Sequence, residues 1–409
     1  MRRSSQAIAP TLPVSILVLL LVAILVSCGG SATTTGGATT TAAGVSGAEP
    51  AGDPVVIGAV VSTTGPAAPL GEPERNTLEL MEGKINAAGG VLGRPLKIVI
   101  LDDQSSAKEA VTATQRLINQ EKAVAVIGAS ASATTLAMKP ITAGAKIPQI
   151  AMAAANSITD EPPSEWVWRV APKDDLAVER AMQYVAESLK VKKIAVLYDE
   201  NAFGSSGLAQ IEEVKGTYGL EVVAKESYKT DETDLTAQLT KLRGSNPEAL
   251  VVWGTNPGPA VAAKNLKQLA WSLPYVGSHG IANFKFIELA GDAAEGVVFP
   301  STKILFPQSI TDSGQQKVID TFISDYTEKF GEAPNHFASH GWDAISLLVK
   351  AIEEAKSTKA EDIQAALNAI TGFAGADGIF TFSPTNHDGL AVSDLIMVKI
   401  EGGKWVLAQ

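Results

Sequence analysis

The chain has 409 residues, 45% apolar and 19% charged, enough for two or three domains with a sizeable core. Its 44 acidic residues outnumber 33 basic ones, for a formal net charge of −11. That balance argues against nucleic acid or an anionic membrane surface as partner. The single cysteine excludes an internal disulfide and a cysteine-based metal site.

Arg2 and Arg3 form a basic start. Residues 14–26 are apolar apart from Ser15, a run too short for a comfortable membrane span. Leu25-Val26-Ser27-Cys28 closes it with small residues. The segment resembles a bacterial lipoprotein signal, which implies cleavage before Cys28, a lipid on its sulfur and an exported body held at the outer face of the cell membrane or in the periplasm. An uncleaved anchor helix is the other reading. Residues 28–53 are Gly, Ser, Thr and Ala with almost no charge, a flexible tether. Roughly 25 such residues reach about 25–30 Å.

From residue 54 the pattern predicts a strand–helix–strand unit. The apolar run Val55–Val61 ends in Ser62-Thr63-Thr64-Gly65-Pro66. A helix follows, with Leu78, Met81 and Ile85 spaced by three and four. Gly89 and Gly90 stop it. A second run, 96–101, ends in Asp102-Asp103. Loops of such a unit lie at the carboxyl ends of parallel strands, where open α/β sheets bind ligands. A helix over 107–119 and a buried strand over 123–127 lead to Gly128-Ala129-Ser130-Ala131-Ser132 and another helix. Small residues there turn backbone N–H groups toward a ligand, and a helix N-terminus favours an anion. Ser132 is the candidate donor to a carboxylate; simple helix capping is its plainer use. The run 147–151 then leads to Met152-Ala153-Ala154-Ala155.

The same grammar repeats. A short strand over 166–170 and a helix over 174–189 precede a strand at 193–199, the turn Asn201-Ala202-Phe203-Gly204, a helix and a strand at 220–224. Leu235, Leu239 and Leu242 mark an amphipathic helix. A strand over 249–253 ends at Gly254-Thr255-Asn256-Pro257, and Tyr275-Val276-Gly277 runs into Ser278-His279. Helices are expected over 318–330, from Phe337 through Ala355 and over 361–370, then a strand at 378–382. A hairpin over 395–400 and 404–407 turns on Gly402-Gly403.

One ordered set of motifs runs through these elements: Gly65-Pro66, Gly71, Ile85-Asn86-Ala87-Ala88-Gly89-Gly90-Val91, Gly93 and Asp102-Asp103. Asp199 with Phe203-Gly204, Gly291 with Glu295-Gly296, Trp342-Asp343-Ala344 and Gly378 with Phe382 continue it. The set resembles the type I periplasmic solute-binding proteins, in the branch that binds leucine, isoleucine and valine for ABC importers. The resemblance implies two doubly wound α/β lobes joined by a multi-strand hinge, with the ligand in the interlobe cleft. One lobe is expected to hold 54–171 and 301–381, the other 172–300 and 382–409. It further implies a monomer that binds a small molecule, meets ABC permease subunits in the membrane, uses no cofactor and catalyses nothing.

The resemblance also assigns site residues. Ser132 falls on the serine that holds the ligand carboxylate. Ala153 and Ala155 fall in the loop whose carbonyl and threonine hydroxyl bind the ligand ammonium in relatives. Phe203 and Thr255 line the cleft from the second lobe, His279 stands where relatives carry a glutamate for the ammonium, and Leu70 completes the set. Two of these depart from the pattern. Ala155 has no side-chain acceptor, and His279 is no substitute for a carboxylate. A non-amino carboxylate, aromatic or keto, therefore stands beside a branched-chain amino acid or related small carboxylate as the ligand. A ligand-sensing receptor module is the alternative of another class.

No catalytic constellation stands out: no G-x-S-x-G elbow, Walker loop or H-E-x-x-H is present. His336 and His340 are four apart, as a zinc pair needs, but no third ligand can be named, so no metal is expected.

Overall fold

The computed structural model describes residues 50–408. The expected signal peptide, Cys28 and all but the last residues of the expected tether lie outside them. The first lobe opens with β1 (Val55–Val61), α1 (Ala68–Ala87), β2 (Leu96–Asp102), α2 (Ala107–Asn119), β3 (Ala125–Gly128) and α3 (Ser132–Ala145). It continues with β4 (Gln149–Ala151), α4 (Ser157–Asp160) and β5 (Val167–Arg169). Its five strands form a parallel sheet in the order β2-β1-β3-β4-β5, with Val55 opposite Leu96 and Ile57 opposite Ala125. The β-branched run of β1 is almost wholly buried, as a central strand covered on both faces requires.

The second lobe runs through α5 (Asp174–Tyr184), β6 (Lys193–Asp199), α6 (Ala202–Val214), β7 (Glu221–Tyr228) and α7 (Thr236–Arg243). Then come β8 (Ala249–Trp253), α8 (Gly258–Gln268), β9 (Tyr275–Gly277), α9 (Phe284–Ala290) and β10 (Val298–Thr302). The chain next returns to the first lobe as α10 (Ser313–Phe330), α11 (His336–Ala355), α12 (Ala360–Asn368) and the short pair β11 (Phe373–Ala374) and β12 (Ile379–Phe380). Finally β13 (Leu395–Glu401) and β14 (Lys404–Leu407) join the second sheet, whose order is β14-β13-β10-β9-β8-β6-β7. β13 runs antiparallel to both its neighbours, β10 and β14. Glu401 pairs with Lys404, so the hairpin loop is Gly402-Gly403, with φ of 58° and 71°. Positive φ at both positions is what a twist-matched two-residue turn needs.

The core of the first lobe joins Ile57, Leu78 and Ile127 to Phe322, Leu348, Ile352 and Phe380 from the returning helices and strand. The second sheet is covered on both faces, one by Leu197, Leu239, Leu250 and Phe299, the other by Val178, Met182, Val196 and Trp253. The expected lobe assignment needs one correction. Phe382 and Leu390 pack on the first core, and Asp388 pairs with Arg169 at 2.9 Å. His387 stacks on Trp168 with ring centroids 4.6 Å apart. The segment from 382 to about 390 therefore belongs with the first lobe, because an apolar ring and a buried arginine's counter-charge hold it there.

Candidate ligand-binding site

Both sheets reverse strand order next to their first strand, at β1/β3 and at β6/β8. Those switch points are where open α/β sheets leave a crevice. Residues that follow β1, β3 and β4 in one lobe and β6, β8 and β9 in the other meet around one cavity. Leu70, Ser132, Ala153, Phe203, Thr255 and His279 all line it. Ser130, Met152, Asn201, Phe337 and His340 line it as well. The walls are mostly apolar, with polar groups at a few points.

Ala155 is the exception among the expected residues. Its N–H donates to Ser132 Oγ at 3.2 Å, and its carbonyl accepts from Arg169 Nη1 at 2.9 Å, so both backbone groups are spent away from the cavity. Arg169 is fully buried in β5. The same Nη1 donates to the carbonyls of Ala153 at 3.3 Å and Ala154 at 2.6 Å. The loop whose carbonyls were expected to meet an ammonium thus gives them to a guanidinium.

The α3 end keeps its donors. Its first N–H groups have no intrahelical partner, and its N-cap, Ala131, offers no side-chain acceptor. Ser132 Oγ accepts from Ala155 and retains its own hydrogen for the cavity. Ser130 Oγ accepts from Ser62 N–H at 3.0 Å and is hydrogen-bonded to Glu74, a fully buried acid of α1.

At the other side, His279 packs edge-on to Phe203 and Trp253, with ring centroids at 5.2 and 5.9 Å. Neither ring nitrogen has a protein partner. Burial pushes its pKa down to about 3, so the ring is neutral and carries one donor and one acceptor. His340 Nδ1 meets Asp377 Oδ2 at 2.7 Å, leaving Nε2 as the free atom of a cavity-lining ring. His336 Nδ1 meets Thr302 Oγ1 at 3.0 Å. The two α11 histidines therefore spend one nitrogen each on lobe and hinge contacts.

Asn156 ties the lobes together. Its N–H donates to Ser206 Oγ and its Nδ2 to Gln210 Oε1, each at 3.0 Å, while its Oδ1 accepts from Asp175 N–H at 3.1 Å.

Residues 54–404 match the family described as periplasmic binding protein. The chain is 25% identical over 329 residues to a leucine-, isoleucine-, valine-, threonine- and alanine-binding protein of Pseudomonas aeruginosa, covering 80% of this chain and 86% of that one. It is 24% identical over 367 residues to a Leu/Ile/Val-binding protein of Rhizobium johnstonii, covering 87% and 94%. Among solved structures, an extracellular ligand-binding receptor from Rhodopseudomonas palustris HaA2 superposes with a TM-score of 0.81 at 26% identity, covering 87% of this chain and 100% of that one. A leucine-binding protein from Thermotoga maritima does so with 0.79 at 25%, covering 87% and 98%.

Proposed function

Because the chain belongs to the periplasmic binding protein family, a family of solute-binding proteins and not of enzymes, we propose that it delivers to an ABC importer a small carboxylate lacking an α-ammonium group. The observation that carries the ligand class is the Arg169 guanidinium on the carbonyls of Ala153, Ala154 and Ala155. Among the described residues that line the cavity there is no carboxylate either. A buried ammonium left without a counter-charge costs on the order of 3–5 kcal/mol. An anion has the α3 N-terminus and Ser132 to meet it. Phe203, Phe337, Leu70 and Met152 suit an apolar or aromatic body, and neutral His279 suits a hydroxyl or carbonyl on its far end.

Leucine, isoleucine or valine is the second reading, favoured by what the relatives are called. A thermal-shift panel on protein stripped of solute by unfolding and refolding separates the two. A ligand at a hundred times its dissociation constant adds about 2.7 kcal/mol, a shift of a few degrees. We expect it with benzoate, cinnamate or 2-ketoisocaproate; a shift with leucine alone overturns this ligand class. In the same reading Cys28 carries a lipid and residues 29–53 let the body reach a permease. Release of the protein from membranes on Cys28→Ser substitution tests that.

A further inference from the structure

Glu74 lies behind Ser130, and the ligand scheme above makes no use of it. One of its oxygens is hydrogen-bonded to Ser130 Oγ, and the other, Oε1, has no protein partner. No cation touches it among the described residues. Its neighbour Arg75 turns to Asn76 and Glu79. β1 and β3 carry no ionisable residue. The loop after β2 brings Asp103, a second buried acid. On α10, Asp325 is paired with Lys84. α11 approaches with Gly341 against the Glu74 backbone and brings His340 and Asp343, both bound to the Ala376-Asp377 segment. Burial without a counter-charge raises the Glu74 pKa well above the usual carboxylate range and lifts Asp103 too.

We propose that Glu74 is a positioning residue which, as the neutral acid, donates to Ser130 Oγ and so directs the Ser130 hydrogen at the ligand's carboxylate. This rests on the reading that a carboxylate sits at the α3 N-terminus. Ser130 Oγ then accepts from two donors, Ser62 N–H and Glu74 O–H, and its own hydrogen is left for the cavity. An ionised Glu74 takes that hydrogen back, turns a Ser130 lone pair toward the anion and adds a second negative charge behind it. Anion binding and Glu74 protonation therefore favour each other. Affinity falls as pH rises through the Glu74 pKa.

Two measurements test this. The first is the infrared difference spectrum of purified wild type against Glu74→Gln at neutral pH, which needs no ligand. A protonated-carboxyl band that the substitution removes is expected. The second is calorimetric titration between about pH 6 and 9 with whichever of benzoate, cinnamate and 2-ketoisocaproate binds the wild type. Glu74→Leu, which removes the donor, is expected to weaken binding roughly tenfold or more. Glu74→Gln, whose amide donates in the acid's place, is expected to recover most of that and to flatten the pH profile. A wild type that binds none of the three overturns the ligand class and this inference with it. A wild type that binds one but lacks the band, or a Gln variant as weak as the Leu variant, overturns this inference alone.

Discussion

Asp174 opens α5 with its carboxyl fully buried: Oδ1 accepts from Trp253 Nε1 at 3.1 Å, and Oδ2 has no partner. Burial lifts its pKa to about 7. The folded state therefore holds a proton that the unfolded chain has released above about pH 4, and the group lowers stability as pH rises from there to about 7. Asp174→Asn keeps the acceptor for Trp253 and does not titrate. Denaturant unfolding should show the variant gaining about 2–4 kcal/mol over wild type between pH 4 and 8; a constant difference overturns the assignment. Single side chains were the least legible part of the sequence. Ser132, Phe203 and His279 stood at strand ends, where position alone suggests a ligand. Arg169 and Glu74 were hidden inside elements. Their signals were a lone arginine in the apolar run Val167-Trp168-Arg169-Val170, and an acid in the stripe Leu70, Glu74, Leu78, Met81. Ala155 was misplaced because no local pattern shows that a guanidinium 14 residues along the chain will take its carbonyl.

Long elements were read nearly to their ends, since β1 is an unbroken apolar run of seven residues and α2 carries helical periodicity over thirteen. Elements set by tertiary contacts were not. The strand expected over 378–382 is only Ile379–Phe380, because Phe382 turns into the first core. The helix expected from 318 starts at Ser313, where Asp312 Oδ1 accepts from Gln315 N–H at 2.8 Å and caps the first turn. The loop from β4 to α4 has a role beyond lining, through the three Asn156 bonds to α5 and α6. These bonds exist only with the lobes together. Asn156→Ala removes two side-chain hydrogen bonds worth about 0.5–1.5 kcal/mol each. It should weaken ligand binding roughly tenfold, chiefly through faster dissociation, while the ligand-free melting temperature stays within about a degree. An unchanged dissociation rate in stopped-flow measurements argues against the latch.

Residues 50–408 form two lobes joined by three crossings of the chain, after β5, after β10 and before β13. The lobes touch through Asn156, through Asp174 N–H on the Ala154 carbonyl at 3.0 Å, through Lys173 Nζ on Asp160 at 2.8 Å and on Asp388 at 3.5 Å, and through His279 against His336 at 6.0 Å between ring centroids. A ligand that bridges both walls of the cleft should favour the closed arrangement. Solution scattering of the stripped protein should give a larger radius of gyration than the ligand-loaded protein; identical curves overturn a closing cleft. The division into two similar lobes was legible as a repeated strand–helix grammar, while the return of the chain to the first lobe was expected, over 301–381, only from the family resemblance and not from any local pattern. The crossings have a further consequence. β13 sits between β10 and β14, so the second sheet is finished by residues 395–407, and the first core by residues up to about 390. During synthesis, each lobe waits on segments made long after its own first strand, and the apolar flank of β10 stays uncovered until the closing hairpin emerges. Neither half can therefore complete its fold before these late segments have left the ribosome.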